Sequence, residues 1–216
     1  MIRKIKKIIK LITDFKTTRV LLSYRFQGYF TEIGWFVSLK AKRPLNQTGE
    51  PIPWTTYSYT YFIKNLLTKK MDVFEYGSGN STLFYAKYVK SVIAVEHDLN
   101  WYQELKKDLP KNVTLIHQPL DYHGDYCRVI KQSKQQYDII IIDGRDRNSC
   151  INNSLHSLKP NGIIVLDDSE RKEYRKGIEQ LLKYKFKRID FWGFAPNFFQ
   201  NRCTSVFYKN KILQIS

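Results

Sequence analysis

Short apolar runs rich in Ile, Val and aromatic residues recur from residue 71 to the end of the chain, with more polar stretches between them. Runs of this length and composition are typical of strands that are buried on both faces. The pattern predicts strands at 72–76, 92–96, 113–117, 137–142, 162–167, 186–192 and 203–209. The stretches between them predict helices near 80–89, 99–108, 147–158 and 170–183.

Strands and helices that alternate in this way indicate a parallel sheet covered by helices on both faces. The last two predicted strands differ, because Gly193, Pro196 and Asn197 join them without a helix. A connection that short requires an antiparallel pair. We therefore predict an α/β fold, a Rossmann-like seven-stranded sheet that is mostly parallel with a terminal antiparallel strand, preceded by an N-terminal helical extension.

Residues 1–16 have the pattern of a basic amphipathic helix. Isoleucines and one phenylalanine recur there at spacings of three and four, with lysines between them. Such a helix either lies on an anionic membrane surface or packs on its own domain with its lysines in water. The pattern fits both alternatives equally well.

The apolar residues of 20–40 predict a second helical element, and Ala41 to Pro53 predict a loop, because this stretch contains three prolines. A further apolar helix is predicted to end near Leu67. We therefore divide the chain into a helical extension and lid at 1–70 and a cofactor-binding domain at 71–216.

The positive charge of the chain is concentrated in the extension. The whole sequence has 36 Lys and Arg against 20 Asp and Glu, a net charge of +16. Residues 1–70 carry 14 of these cations and three acids, so they account for +11. The remaining part carries only +5, which argues against a long nucleic-acid track across it.

The three cysteines are scattered and lack metal-ligand spacing, which favours a reducing compartment. No run approaches the ~20 apolar residues that a bilayer-spanning helix needs. We therefore expect a cytoplasmic protein, with peripheral contact at the inner face of the membrane through residues 1–16 as a further expectation.

A glycine turn joins the first predicted strand to the first predicted helix of the domain, in the sequence DVFEYGSGNST at 72–82. Gly77 and Gly79 let a ligand lie against bare backbone, and the helix directs its free N–H groups to the same place. A second acid, Glu96, ends the next predicted strand 21 residues after Glu75. A carboxylate there can accept hydrogen bonds from both hydroxyls of a ribose, so the sequence predicts a nucleotide-like ligand.

The Glu-x-Gly-x-Gly form of this turn resembles motif I of the class I S-adenosylmethionine-dependent methyltransferases, whereas the dinucleotide fingerprint would need a third glycine where Thr82 stands. The terminal antiparallel pair also resembles the sheet of that family. The resemblance implies S-adenosylmethionine as the cofactor, with Glu75 near its methionine amino group and Glu96 on its ribose. It implies these cofactor-binding residues: Glu75, Tyr76, Gly77, Ser78, Gly79, Asn80, Ser81, Glu96, His97 and Asp143.

Aspartates follow two further predicted strands: Asp143 after the fourth, and Asp167 with Asp168 after the fifth. Because the carboxyl ends of neighbouring parallel strands converge on one crevice, we expect these side chains to lie close together. Carboxylates so close repel one another unless a positive group joins them. A hard divalent ion such as Mg²⁺ is one candidate for that group.

An aspartate followed by an Asp-Asp pair resembles the metal-dependent O-methyltransferases over residues 72–170, and is nearer to the macrocin-type sugar enzymes than to the catechol type. The resemblance implies a metal held by Asp143, Asp167 and Asp168 that would polarise an acceptor hydroxyl. Asp143 or Asp146 is the candidate catalytic base. In the alternative, Asp143 helps to bind the donor while Asp167 and Asp168 cap the following helix.

Arg145 and Arg147 add positive charge at the same edge. They either clamp an anionic group of the substrate or neutralise the aspartates directly and make a metal unnecessary. Trp54 and Tyr57, which stand beside prolines just ahead of the glycine turn, are candidate substrate contacts from a lid. Plain packing at a domain edge is the alternative for these two aromatic residues.

We therefore predict a methyltransferase that acts on a hydroxyl of a sugar, a glycan or a related small molecule. The segment after Asp143 lacks the Asn/Asp-Pro-Pro-aromatic motif of amino-methyltransferases, which disfavours N-methylation. Resemblance to stand-alone bacterial enzymes implies a role in surface-polysaccharide synthesis. Two alternatives are an RNA methyltransferase whose basic extension binds phosphates and a non-catalytic binding protein that retains the fold.

Overall fold

One mixed sheet organises residues 13–209, the part of the chain that the computed structural model describes. Its strands are β1 (Asp72–Tyr76), β2 (Ser91–Glu96), β3 (Val113–His117), β4 (Tyr137–Ile142), β5 (Leu158–Leu166), β6 (Lys187–Gly193) and β7 (Arg202–Tyr208). They lie in the order β3-β2-β1-β4-β5-β7-β6. The amphipathic helix predicted over 1–16 falls almost wholly outside the described residues.

Strands β1 to β5 pair in parallel, and β7 runs antiparallel between β5 and β6. The chain order reverses at β1, where Glu75 stands beside Ala94 of β2 on one side and Ile141 of β4 on the other. Open parallel sheets bind their ligands at such a switch point, beyond the carboxyl ends of the strands. The predicted fold class is confirmed.

Helices cover the sheet and form the N-terminal segment. In the described residues they are α1 (Phe15–Ser23), α2 (Tyr29–Glu32), α3 (Trp35–Ala41), α4 (Tyr57–Lys64), α5 (Asn80–Tyr88), α6 (Leu99–Leu105), α7 (Asp125–Gln132), α8 (Arg147–Ser154) and α9 (Arg175–Lys183). The sequence pattern predicts no helix where α7 lies. The helix predicted from residue 170 begins later, after a 3₁₀ turn at Lys172–Tyr174.

Two apolar layers enclose the sheet, and consecutive residues of a strand enter opposite layers. Val73 packs with α4 and α5 on one face, whereas Phe74 and Tyr76 pack with α7 and α8 on the other. Because the central strands are buried on both faces, their sequences are apolar without alternation. This is why strands such as β4 are easy to recognise in the sequence.

The predicted element over 20–40 is three short helices, because glycines break it. Gly28 and Gly34 adopt φ values of 83° and 76°, a left-handed conformation that glycine reaches most easily. A side chain at Gly34 would also collide with the backbone of Asn46. After these breaks, Ile33 and Trp35 join the same apolar layer as Tyr57.

Candidate active site

The glycine turn between β1 and α5 lies directly against the end of β4. Gly77 has φ 94°, and a Cβ atom there would stand 3.2 Å from the backbone of Asp143. Gly144 faces it from the other side, where a Cβ atom would collide with the Tyr126 hydroxyl and lie 2.9 Å from the Gly77 nitrogen. Sequence analysis identified Gly77 but not Gly144, since the contact joins two distant segments.

Glu75 is the penultimate residue of β1, beneath this turn, and is 1% exposed. The Thr82 hydroxyl donates to its Oε2 at 2.6 Å, while its Oε1 has no hydrogen-bond partner among the described residues. Burial raises the pKa of Glu75 to about 8, although the Ser81 and Thr82 hydroxyls oppose the shift. A buried carboxylate oxygen without a partner fits a cationic or hydrogen-bond-donating ligand group.

Glu96, at the end of β2, is held in place by its neighbours. Its Oε1 accepts the backbone N–H groups of His97 and Asp98 at 2.8 and 2.9 Å, and its Oε2 accepts the Ser78 hydroxyl at 2.7 Å. The His97 ring places Nδ1 2.8 Å from the same Oε1. The acid of β2 therefore lies beside the glycine turn, as predicted.

Two adjoining cavities flank the glycine turn. One of about 450 Å³ is lined by Gly77, Glu96, Arg145 and neighbouring residues, and the other, of about 740 Å³, extends toward the loop after α3. Ser78, Ser81, Trp101 and Asp143 line both. We call these two cavities together the donor cavity.

Trp101 of α6 covers the turn rather than the core. Its side chain is 44% exposed, and its indole N–H donates to the Ser78 carbonyl at 3.0 Å. Of the predicted cofactor residues, Tyr76 points into the core, where its hydroxyl donates to the Cys127 carbonyl at 2.6 Å. Asn80 donates to the Pro44 carbonyl at 2.6 Å and so ties α5 to the loop after α3.

The three aspartates at the ends of β4 and β5 do come together, and arginines are their counter-charges. Arg147 Nη2 lies 3.0 Å from Asp143 Oδ1, and Asp168 pairs with Arg171 through Oδ2 and with Arg202 through Oδ1. Arg202 comes from β7, far along the chain, and sequence analysis did not identify it.

Arg147, a predicted substrate contact, lines the donor cavity, but its hydrogen bonds are made within the protein. Its guanidinium is 8% exposed and donates to the carbonyls of Gly144, Asp143 and Asp167. The same group lies 4.9 Å from the Tyr174 ring. Because its donors are used within the protein, this side chain joins the ends of β4 and β5.

The residues present do not fit the predicted magnesium site. Both carboxylate oxygens of Asp168 and Oδ1 of Asp143 are bound by guanidinium groups, and Thr204 donates to Asp167 Oδ1 at 2.6 Å. Within residues 13–209, no three His, Cys, Asp or Glu side chains are arranged to hold a metal ion. Of the two interpretations that the sequence left open, these contacts favour direct neutralisation by arginine.

Asp143 and Asp167 line a third cavity, of about 300 Å³, with Trp54, Arg171 and Phe198. Burial raises the pKa of Asp143 to about 6 against the opposing charge of Arg147. Burial and the Asp143 charge hold the pKa of Asp167 well above its ordinary value. We call this third cavity the acceptor cavity; Asp143 also lines the donor cavity and so connects the two.

Two predicted site residues lie elsewhere. Asp146 adopts φ 45° at the start of α8, its side chain is 5% exposed, and its Oδ2 accepts the His123 N–H at 2.7 Å. Tyr57 is 2% exposed and lines a separate cavity of about 330 Å³ between α4 and α5. The predictions of Asp146 as a base and Tyr57 as a substrate contact are therefore not supported.

Trp54 and Arg145 do reach the cavities. Trp54 is 42% exposed, lines both the donor and acceptor cavities, and donates its indole N–H to the Pro196 carbonyl at 2.7 Å. Arg145 is exposed at the edge of the donor cavity. These two remain candidate substrate contacts.

Comparison with known proteins agrees with this geometry. A family model for a methyltransferase domain matches residues 74–169, which span the glycine turn and all three aspartates of the cluster. No curated protein matches the chain. The domain match supports an S-adenosylmethionine-dependent methyltransferase.

Solved structures share the fold at low sequence identity. A provisionally assigned O-methyltransferase from Klebsiella pneumoniae is 15% identical with a TM-score of 0.61, covering 89% of this chain and 96% of that one. A precorrin 8w decarboxylase from Methanobacterium thermoautotrophicum is 18% identical with a TM-score of 0.55, covering 79% and 98%. A provisionally assigned methyltransferase from Streptococcus mutans, solved with SAH, is 15% identical with a TM-score of 0.50, covering 68% and 94%. These likenesses establish the fold.

Proposed function

We propose that this chain transfers the methyl group of S-adenosylmethionine to a hydroxyl oxygen of a small polyhydroxylated acceptor, a sugar or a glycan unit. The proposal that the chain binds this methyl donor rests on the pair of acids around the glycine turn. Glu75 offers a buried carboxylate oxygen that no described residue hydrogen-bonds, and Glu96 offers a fixed carboxylate beside the same turn.

The donor fits these residues by its chemistry. Its methionine ammonium would donate a hydrogen bond to Glu75 Oε1. Its ribose diol would donate to Glu96 in place of the Ser78 hydroxyl. The exposed face of Trp101 over the turn offers a surface for the adenine ring. No step of the proposal uses a divalent ion, because arginines already bind the carboxylates of Asp143 and Asp168 and Thr204 binds that of Asp167.

Asp143 is the candidate base of the reaction. Arg147 binds its Oδ1, so its Oδ2 is the oxygen available to an acceptor hydroxyl. The hydroxyl would give its proton to Oδ2 while its oxygen bonds to the methyl carbon; the carbon–sulfur bond breaks and its electron pair stays on sulfur. A carboxyl whose pKa is about 6 is largely ionised at neutral pH and is more basic than an ordinary aspartate.

The acceptor cavity has the mixed character that sugars require. Trp54 and Phe198 provide aromatic faces for the apolar side of a sugar ring, while Asp167 and Arg171 provide an acceptor and a donor for its hydroxyls. These side chains support a neutral polyhydroxylated acceptor, because the nearby arginines are already paired with aspartates.

Calorimetric titration of the full chain with S-adenosylhomocysteine tests the donor half. We expect binding in the wild type and a loss of about tenfold or more in Glu96→Gln, because a hydrogen bond to a charged group is removed. Glu104→Gln is the matched control, since Glu104 is exposed on α6 and pairs only with Lys107 within the described residues. Absence of binding in the folded wild type would refute the proposal.

A further inference from the structure

Helix α1 and the turn after it present apolar side chains to solvent. None of the nine residues of α1 is buried. Phe15 is 75% exposed, Leu22 is 65% exposed, and Phe26 just beyond the helix is 79% exposed. Val20, Leu21 and Tyr29 are about half exposed. So many large apolar side chains exposed in one short segment indicate an interaction site.

The same segment is cationic. Lys16, Arg19 and Arg25 stand among the apolar side chains, against a single acid, Asp14, within residues 13–27. The preceding 12 residues of the sequence add five Lys and Arg and no acid. Apolar side chains beside a surplus of cations match the boundary between acyl chains and anionic headgroups.

An aromatic chain of contacts links this surface to the acceptor cavity. Phe30 packs edge-on against Tyr24 at the end of α1 and against Phe194, with centroids 5.4 and 5.0 Å away. Trp35 donates its indole N–H to the Phe198 carbonyl at 3.3 Å. Phe198 lines the acceptor cavity. The loop between β6 and β7 is therefore shared by the exposed segment and the cavity.

We propose that residues 15–29 dock on an anionic lipid bilayer and that the acceptor is met there, as a lipid-borne hydroxylated headgroup. The docking surface consists of Phe15, Val20, Leu21, Leu22, Phe26 and Tyr29 with the cations among them. The acceptor part rests on the proposed function, whereas the docking part does not. In the described part of the chain, no helix has the length and apolarity to cross a bilayer, so the docking is interfacial.

The charge pattern favours lipid over the other partners of such a surface. A nucleic acid would use the cations and leave exposed phenylalanine and leucine side chains uncovered. A second copy of the same cationic segment would place like charges together. An anionic bilayer satisfies both the apolar and the cationic side chains.

Co-sedimentation of the full chain with vesicles tests the docking. We expect binding to vesicles that contain phosphatidylglycerol, weaker binding to pure phosphatidylcholine, and a decrease at high salt because screening weakens surface charge. The double variant Leu22→Ser with Phe26→Ser should lower the partition coefficient about tenfold or more, because two large apolar groups are removed. Tyr184→Ser is the matched control, since Tyr184 is 52% exposed at the end of α9.

Equal partition of the double variant and the control, or no binding of the wild type to anionic vesicles, would overturn the docking. Binding to RNA but not to vesicles would overturn the docking in favour of a nucleic-acid partner. A dimer that the double variant no longer forms would overturn it in favour of a second copy of the chain. Titration with S-adenosylhomocysteine should be unchanged in the double variant. If that titration fails in the wild type while vesicle binding persists, the proposed function fails and the docking survives.

Discussion

A buried carboxyl with one unbound oxygen gives Glu75 a measurable pH signature. Burial raises its pKa from 4.5 to about 8. Between these values the folded protein holds a proton that the unfolded chain has lost, so the free energy of unfolding falls as pH rises through this window. The difference is on the order of a few kcal/mol.

Glu75→Gln should make this decline shallower, because an amide does not titrate and only the raised pKa values of Asp143 and Asp167 then contribute to it. Urea unfolding from pH 5 to pH 8 measures it; an equally steep decline in the variant would contradict the assignment.

Donor binding to the wild type at pH 7 should release a proton if the methionine ammonium pairs with the Glu75 carboxylate. Calorimetry in buffers of different ionisation enthalpy detects that proton.

Asp143 and Asp146 are three residues apart, yet they lie in different surroundings: Asp143 lines both cavities, whereas Asp146 binds the His123 backbone. Asp143→Asn should lower the rate of methyl transfer by about 10² to 10⁴, as loss of a general base does, with little change in donor affinity. Asp146→Asn is the matched control and should leave the rate nearly unchanged, since its side chain binds the His123 backbone. Single-turnover assays with labelled donor measure both variants. A larger loss in Asp146→Asn would reverse the assignment.

Arg147 stabilises the ends of β4 and β5. Arg147→Ala leaves Asp143 and the Asp167 carbonyl without their buried donor, and removing one partner of a buried pair costs about 3–5 kcal/mol. Denaturant unfolding measures this loss. Arg145→Ala, at an exposed neighbouring position, should change stability by less than about 0.5 kcal/mol. A similar loss of unfolding free energy in both variants would show that the buried contacts of Arg147 do not stabilise the protein more than an exposed arginine does.

The sequence alone does not distinguish the surroundings of Asp143 from those of Asp146, and it does not identify Arg202. Asp146 stands in an acid-rich segment, but its left-handed backbone turns its side chain toward the loop before α7. Arg202 completes the cluster from β7, 34 residues beyond Asp168, and no local pattern connects the two. The positions of Glu75 and Glu96 beside the glycine turn were predictable, because each lies at the carboxyl end of an apolar strand.

At the scale of elements, the turn after β1 and the end of β4 depend on each other. Gly144→Ala should lower stability by about 1–3 kcal/mol, as overpacking does, and should weaken donor binding because the glycine turn must shift. Tyr126→Phe added to this variant should restore only part of the loss. It removes the clashing hydroxyl, but the contact with the Gly77 nitrogen at 2.9 Å remains.

Denaturant unfolding and donor titration of the Gly144→Ala and double variants measure this prediction. Unchanged stability and affinity in Gly144→Ala would contradict the close approach of the two segments.

Strands buried on both faces were predictable from the sequence, whereas helices buried on one face were harder to predict. Strand β4 ends in four consecutive buried isoleucines and was predicted with its observed bounds. Helix α7 was missed, because its apolar residues form a narrow stripe in a polar segment and only Tyr126, Cys127, Val129 and Ile130 are buried. The predicted helical element over 20–40 was divided at Gly28 and Gly34, which have positive φ values, and Gly34 packs closely against the backbone of Asn46.

At the scale of the molecule, the N-terminal segment is part of the architecture of the site. Trp35 and Trp54 each donate an indole N–H to the loop between β6 and β7, and Asn80 binds the loop after α3. Composition separated a basic extension from a nearly neutral domain, but it could not reveal these contacts. The mostly parallel sheet was predictable from the alternation of elements; the contacts that close the acceptor cavity required the structure.

The indole contacts also give the protein an optical readout. All four tryptophans lie in the described residues: Trp35 and Trp54 hold the loop beside the acceptor cavity, Trp101 covers the glycine turn, and Trp192 is on β6. Trp101 lines only the donor cavity, whereas Trp54 lines both cavities, so donor binding alone would reach Trp101 and either ligand would reach Trp54. Single Trp→Phe variants could assign the intrinsic emission to each cavity, so that the order of substrate entry can be timed by stopped flow without a label.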